Sequence, residues 1–238
     1  TTDVRFNNPR CPTFSGEGLI TLGSSSPFTI NFDNLGTAGL PAGVYVKQEA
    51  SGGFIGNEAT VYNSNFLTPT AWNQTSLGFK NYASATGLIA TSSSTAQSTS
   101  TNRALGARQT GTAATGGDPG YAFAFQLPNT TGKTNLKLEF LLQSLDASTG
   151  TGRTTTWRVD YGLGDSPVLF TTATTVPATL TTTFGTGTFA STPVTVDFGS
   201  VLNNINQKVW IRIVALNSTS GSGNRPSTGI DDVKFSWN

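Results

Sequence analysis

The last regular stretch of the chain is Gly229-Ile-Asp-Asp-Val-Lys-Phe-Ser-Trp237, in which apolar and polar side chains alternate. In an extended backbone Val233, Phe235 and Trp237 point to one face and the polar residues between them point to the other. This alternation predicts a half-buried β-strand. Asp231 and Asp232 stand where the strand begins, and adjacent carboxylates are costly unless both are solvated or a cation lies between them.

The composition excludes several classes of function. The 238 residues include 27 Gly and 11 Pro, only 11% of them are charged, and the net charge is +1. Without a run of basic residues we expect no nucleic-acid binding, and without about 20 consecutive apolar residues we expect no membrane insertion. The chain contains no His. Ser-His-Asp or Cys-His catalysis and imidazole metal ligands are therefore excluded.

Two further absences suggest the compartment. The chain has no Met, even at position 1, so it is either a processed mature protein or a piece of a longer one. We favour export followed by removal of a signal peptide, and we predict a secreted, extracellular or cell-surface protein. Cys11 is the single cysteine, which rules out a disulfide within the chain. We predict an unreactive thiol, with pairing between chains as the alternative.

Short alternating segments bounded by Gly, Pro, Asn and Thr run along the rest of the chain. The predicted strands are Phe28–Phe32, Val44–Lys47, Tyr121–Leu127, Leu136–Leu142, Trp157–Tyr161, Val168–Phe170, Val194–Phe198, Val209–Val214 and Val233–Trp237. No amphipathic helix of about ten residues is predicted, and Ala90–Thr101 is predicted to be a loop. The pattern indicates an all-β fold, an antiparallel two-sheet sandwich of the jelly-roll type over residues 27–238. Residues 1–26 are predicted to be an N-terminal arm or edge strands.

A jelly roll brings its first and last strands together, which would place Phe28–Phe32 beside Val233–Trp237. Asp33 then comes near Asp231 and Asp232 at one end of the sandwich. Calcium takes about six to eight oxygen ligands, which carboxylates and loop carbonyls supply readily. These three Asp are therefore candidate calcium ligands. The alternative is that Asp231 and Asp232 solvate a turn and accept backbone hydrogen bonds.

The chain resembles the MAM-like jelly rolls of secreted bacterial proteins, and especially surface domains of Bacteroidetes. The motifs that carry the resemblance are Asn31-Phe-Asp-Asn34, Leu40-Pro-Ala-Gly43 and Gly229-Ile-Asp-Asp-Val233. The resemblance implies an exported, non-catalytic module of adhesion, surface or carbohydrate-associated proteins, with a calcium ion between the two terminal strands. In such domains a Trp usually follows the Leu-Pro-x-Gly turn, where this chain has Val44 and Tyr45.

Aromatic side chains are candidates for carbohydrate binding, because flat rings stack on sugar faces while amides bind hydroxyls. The candidates are Trp72, Tyr45 and Tyr82, with Tyr62 and Tyr121 considered beside them. Trp72 lies in a non-periodic segment and is predicted to expose its ring. Trp157, Trp210 and Trp237 lie within alternating strands and are predicted to fill the core.

We predict a secreted, non-catalytic module for surface adhesion or extracellular structural assembly, stabilised by calcium. A carbohydrate-binding module of a polysaccharide-degrading system is the alternative. No enzyme is predicted, because the four Glu of the chain lie in no recognisable glycosidase motif. The expected partners are surface glycans or other copies of the chain. The arm could add a strand to the next copy, giving a homo-oligomer or filament, or it could fold back on its own domain.

Overall fold

The computed structural model describes residues 18–59, 64–76, 78–109, 111 and 117–238. The helices are α1 (Leu35–Ala38) and α2 (Ser94–Thr99). The strands are β1 (Phe28–Ile30), β2 (Val44–Gln48), β3 (Asn57–Glu58), β4 (Ser64–Thr70), β5 (Gly78–Ala83), β6 (Arg103–Arg108), β7 (Tyr121–Leu127), β8 (Lys137–Ser144), β9 (Thr154–Leu163), β10 (Thr171–Thr172), β11 (Thr174–Val176), β12 (Leu180–Thr183), β13 (Ala190–Asp197), β14 (Val209–Ala215) and β15 (Thr228–Ser236). No helix in these ranges has the length and apolar character needed to cross a membrane.

The strands form two sheets that pack against each other. Sheet A has the order β11-β13-β8-β15-β6-β5-β4, with β1 also paired to β15. Sheet B has the order β10-β9-β14-β7-β2-β3, with β12 also paired to β9. The long strands β7, β8, β9, β13, β14 and β15 fall alternately in the two sheets, and β4 with β5 is the parallel exception among otherwise antiparallel strand pairs. The predicted all-β, two-sheet jelly-roll sandwich is confirmed.

The inner faces of both sheets supply the main core. Phe123 and Phe125 of β7 pack on Phe79 and Phe235 of sheet A, with ring centroids 5.7 and 5.8 Å apart in edge-to-face geometry. Along β8 the side chains of Leu138, Phe140 and Leu142 are buried, whereas Glu139 and Leu141 between them are half-buried. This is the alternation that the sequence shows.

The three Trp that were predicted to be buried are buried, although not all in one place. Trp157 and Trp237 belong to the main core. Trp210 lies instead in a small cluster with Ala124 and Phe170. This cluster covers the outer face of sheet B.

The outer face of sheet A is covered as well. A second apolar cluster lies there and consists of Trp72, Tyr82, Ala83, Ala85 and Leu145. The turn after β4 and the segment 84–100, which includes α2, lie over this face. All six residues of β5 and all six of β6 are buried for this reason.

Several local predictions are wrong. Val168–Phe170 is a loop rather than a strand, because Phe170 packs on the guanidinium of Arg212 while Val168 and Leu169 stay 83% and 71% exposed. The loop predicted at Ala90–Thr101 contains α2, whose first turn is capped by the Ser93 hydroxyl accepting from the Ala96 amide. Strands β4 to β6 were not predicted.

Part of the predicted N-terminal arm packs on the sandwich. Ile20 is buried, and its amide donates to the carbonyl of Gln126 in β7 (2.8 Å). Residues 1–17, with Cys11, lie outside the described part of the chain, as does Tyr62.

Candidate functional site

Strand β15 changes its neighbour at the two acidic residues. Thr228–Ile230 pair with β6, whereas Val233–Phe235 pair with β1 in the register Ile30 opposite Val233 and Phe28 opposite Phe235. Between these segments the pairing of β15 with β8 slips, and Asp232 adopts a left-handed backbone with φ of 49°. The sequence-based placement of the first and last strands side by side is therefore confirmed.

Asp231 is the buried member of the three candidate carboxylates. Its side chain is 1% exposed, and Oδ1 accepts a hydrogen bond from the Asp232 amide (2.8 Å). Oδ2 is also buried, and no donor among the described residues reaches it. Loss of hydration raises the pKa of Asp231 from 3.8 to about 6, helped by the charges of Asp232 and Asp33 and opposed by the Ser84 hydroxyl and the Asp232 amide.

The other two carboxylates are exposed at the same junction. Asp33 follows β1, and its Oδ1 accepts from the amide of Arg103 at the start of β6 (2.9 Å). Oxygen donors beside an unpartnered carboxylate oxygen suit a hard cation. Within the described ranges, however, no three acidic or thiol side chains converge closely enough to form a metal-binding group. The structure thus brings the three Asp near one another without a closed set of ligands.

A polar pocket of about 250 Å³ opens over the outer face of sheet A. We call it the serine pocket. It is lined by Trp72, Asn73, Ala90, Thr91, Ser92, Ser93, Ser94, Gln97, Leu145, Asp146, Ala147 and Ser148. Gln97 of α2 holds its walls together, since its Oε1 accepts from the Trp72 amide (2.8 Å) and its Nε2 donates to the Ser92 carbonyl (2.9 Å).

A buried ion pair fixes the floor of the serine pocket. Arg108 donates from Nη1 to Oδ2 of Asp146 (2.9 Å), and both side chains are 2% exposed. The other Asp146 oxygen accepts from the amide and the hydroxyl of Ser148 (3.0 and 2.6 Å). Asp146 is therefore held rigidly in one orientation.

The hydroxyls of the serine pocket keep donor capacity. Ser92 Oγ accepts from the Ile89 amide (3.0 Å), and Ser93 Oγ accepts from the Ala96 amide (3.1 Å). Neither hydroxyl donates to a residue in the described ranges. Since a hydroxyl can donate and accept at once, both hydrogens are available to a ligand.

The exposed ring predicted for Trp72 is wrong. Trp72 is 2% exposed, its indole Nε1 donates to the Ala83 carbonyl (2.9 Å), and its ring packs on Phe189 with centroids 5.1 Å apart. Trp72 lines the serine pocket, but the turn that carries it is folded down onto sheet A. A sugar ring has no free indole face to stack on.

Tyr82 is fully buried and cannot contact a ligand. Its ring lies against Gly106, where an added Cβ would come within 2.1 Å of the ring. Its hydroxyl donates to Ser227 Oγ (3.2 Å), which donates to the Trp72 carbonyl (2.6 Å). Burial raises the pKa of Tyr82 to about 12. Trp72 and Tyr82 are thus connected through Ser227. They support the pocket from below and do not form a binding surface.

The remaining aromatic candidates lie elsewhere. Tyr45 is half-buried on the outer face of sheet B, tilted against Trp210 at 5.2 Å, and its hydroxyl donates to the Gly18 carbonyl (2.9 Å). Tyr121 is buried in the main core and stacks on Phe79 at 4.7 Å. Neither lines the serine pocket.

Arg212 ties two loops to the outer face of sheet B. Its side chain and that of Asp160 are both fully buried, and they form a two-pronged ion pair (2.8 and 2.9 Å). Nη1 and Nη2 also donate to the carbonyls of Phe54 and Ser51 (2.8 and 3.1 Å). The guanidinium carbon lies 3.4 Å from the centroid of the Phe170 ring. This cluster holds the loops rigidly and leaves no open charge.

A larger groove of about 800 Å³ runs beside β1. We call it the β1 groove. It is lined by residues 19–21, 28–32, 34, 35 and 38–42 together with Asp232. Its walls are mostly apolar, and Asn31, Asn34 and Asp232 stand exposed at its rim.

Sequence reasoning missed Arg108, Asp146 and Gln97, which organise the serine pocket. Arg108 belongs to the compact segment Asn102–Arg108, but nothing in the sequence pairs it with an acid 38 residues away. Gln97 lies in the unbroken run of small and polar residues at Ala90–Thr101. Such a run predicts a loop but does not indicate where the loop packs.

Comparisons with known proteins give loose structural likenesses. Neither a family model nor a curated protein sequence matches the chain, so the resemblance to MAM-like domains stays a prediction. The CBM22-1 and GH10 modules of a Clostridium thermocellum endo-1,4-β-D-xylanase, solved with xylohexaose, match with TM-score 0.36 and 10% identity over 87% of this chain and 27% of that one. This chain thus spans about a quarter of that structure.

Two isolated modules match over most of their length. One is the CBM22-1 xylan-binding domain of a Paenibacillus barcinonensis xylanase (TM-score 0.36, 9% identity, 81% of this chain and 92% of that one). The other is a CBM28 module specific for non-crystalline cellulose (TM-score 0.34, 12% identity, 76% and 95%).

Proposed function

We propose that the protein is a carbohydrate-binding module that holds a neutral sugar ring in the serine pocket without cleaving it. The observation that carries this proposal is the chemistry of the pocket lining. It offers the two hydroxyl hydrogens of Ser92 and Ser93 and the exposed amide of Asn73, above the buried carboxylate of Asp146. Sugar hydroxyls both donate and accept, so they match a wall that presents both kinds of group.

The charge and the size of the pocket define the ligand class. The described residues of its lining include one carboxylate and no Lys or Arg, and Arg108 beneath it is already paired. The negative group of a uronic acid or a sulfated sugar would find no unpaired cation in this lining, which favours a neutral sugar. A volume of about 250 Å³ suits one monosaccharide unit, such as a chain end or a branch.

Binding without hydrolysis follows from the same lining. Glycosidases use two carboxyl groups that flank the scissile bond, whereas among the described residues that line this pocket Asp146 is the one acid, and it is held by Arg108 and Ser148. Secretion, which the composition predicts, agrees with a glycan ligand and stays a prediction.

A glycan array followed by calorimetry tests the proposal. We expect Asn73→Ala to weaken binding of the best neutral glycan about tenfold, a loss of about 1.4 kcal/mol. Asn217→Ala, at an exposed Asn outside the pocket, is the matched control and should bind as the wild type does. Unchanged affinity in both Asn73→Ala and Ser92→Ala, or binding of acidic glycans alone, would contradict the proposal. Trp72→Ala is unsuitable, since losing this buried ring should cost about 3–5 kcal/mol of stability.

Calcium as a structural ligand is a second proposal, favoured by the unpartnered Oδ2 of Asp231. Asp231 and the exposed carboxylates of Asp33 and Asp232 would be the ligands of a cation there. Such a cation would join β1 to β15. Adding calcium to chelator-treated protein should raise the melting temperature, and magnesium at the same concentration should raise it less. An unchanged melting temperature would contradict the proposed calcium site.

A further inference from the structure

Within the described ranges, strand β1 leaves one backbone edge open. Among the described residues it pairs with β15 alone, over Phe28, Thr29 and Ile30. Strand β6 occupies the corresponding side of β15 only as far as Ile230, opposite Leu105. Next to β1 the described part of sheet A therefore has no further strand, and the unpaired amides and carbonyls of β1 form a template for one.

The β1 groove lies along this open edge and is apolar where a strand would sit. Its accessible apolar lining consists of the half-buried Leu19, Phe28 and Pro41 and the exposed Ala38 and Ala42. The rim carries Asp232, which is exposed and forms no ion pair with another described residue. Apolar walls, a free backbone edge and one negative charge suit an extended peptide better than a sugar.

We propose that the β1 groove accepts the Val4-Arg5-Phe6 segment of a second copy of the chain as an added strand. In an extended segment Val4 and Phe6 share one face and enter the apolar groove. Arg5 between them carries the charge that complements Asp232. The backbone of the segment supplies the hydrogen bonds that the open edge of β1 lacks.

The position of Gly18 favours a second copy over the same chain. The Gly18 carbonyl accepts from the Tyr45 hydroxyl on the outer face of sheet B. Leu19–Thr21 then form one wall of the groove, so they stand between that point and β1. The same chain would have to turn back around its own wall. The 17 residues before Gly18 can reach about 55 Å when extended, which is enough to enter a neighbouring molecule.

Disulfide trapping between two separately purified full-length chains tests this inference. Both carry Cys11→Ser, one carries Arg5→Cys and the other carries Thr29→Cys, at the exposed central residue of β1. After mixing and mild oxidation, we expect a mixed disulfide dimer well above the level given by Arg5→Cys with Thr171→Cys. Thr171 is exposed in β10, at the far edge of sheet B. A yield no higher than this control would overturn the inference.

Placing both cysteine substitutions in one chain distinguishes the segment of a second copy from the segment of the same chain as occupant of the groove. The Arg5→Cys/Thr29→Cys double variant should give disulfide-linked multimers, whereas a disulfide confined to monomers would show that the segment fills its own groove.

A second measurement needs no cross-link. Val4→Asp/Phe6→Asp should abolish concentration-dependent multimers in sedimentation velocity while leaving the melting temperature of dilute protein unchanged, with Thr2→Asp as control. Multimers that persist, or a lowered melting temperature in dilute protein, would overturn the proposal. Glycan affinity should be unaffected, since the serine pocket is a separate site.

Discussion

Replacing Asp231 by Asn should stabilise the protein in the absence of calcium, although it changes a carboxylate at the strand junction. Asp231 has a folded-state pKa of about 6 against an ordinary value of 3.8, because burial strips its hydration and because Asp232 and Asp33 are negative. The ionised form is therefore disfavoured in the folded state. The stability of the wild type should fall as the pH rises from about 4 to about 6, and stay low above that range.

The magnitude follows from the same pKa. A rise from 3.8 to about 6 corresponds to about 3 kcal/mol of lost folding free energy near pH 7.5. Asn is uncharged and similar in shape, so Asp231→Asn should recover much of this energy. For a chain of this size we expect the melting temperature to rise by about 6–12 °C in chelator.

Thermal denaturation from pH 4 to 8, in chelator and with added calcium, measures both effects. Asp165→Asn is the matched control, because its side chain is 82% exposed and its loss should change stability by less than about 0.5 kcal/mol. Calcium should stabilise the wild type and leave Asp231→Asn unaffected. A destabilised Asp231→Asn in chelator, or an unchanged pH dependence, would refute the electrostatic reasoning. If Asp231→Asn is stabilised but calcium does not change the melting temperature of the wild type, only the calcium site is refuted.

Two further substitutions test the packing of the outer sheet faces. Arg212→Met removes the guanidinium from a fully buried ion pair and should cost about 3–5 kcal/mol in chemical denaturation, whereas Arg158→Met, at a side chain 35% exposed, should cost under about 1 kcal/mol. Equal losses would contradict the role given to Arg212. Gly106→Ala drives a methyl group into the Tyr82 ring and should cost at least about 1–3 kcal/mol, while Gly52→Ala, with open space around it, should be nearly neutral. A neutral Gly106→Ala would mean that Tyr82 can move aside.

The sequence by itself determined the sandwich and the meeting of its ends. All residues of Tyr121–Leu127 are buried, yet its bulky apolar side chains alternate with Ala and Gln, so the period of two persists in the sequence. The final strand carries its acidic pair at its start, and pairing with Phe28–Ile30 then places Asp33 at the same junction. Local periodicity was sufficient for these inferences because the large apolar side chains of these strands face the main core at every second residue.

Only the tertiary structure decided which outer faces are covered and what lies in the serine pocket. Strands β5 and β6 are buried on both faces and mix charged, small and aromatic residues, so Gly78–Ala83 and Arg103–Arg108 show no alternation and gave no strand prediction. Trp72 occupies a segment without periodicity, and its burial depends on contacts with Phe189, Ala83 and Gln97 from distant parts of the chain. A one-dimensional pattern records which side chains share a face. It does not record which loop folds over that face, because that is fixed by packing and hydrogen bonds between residues far apart in sequence.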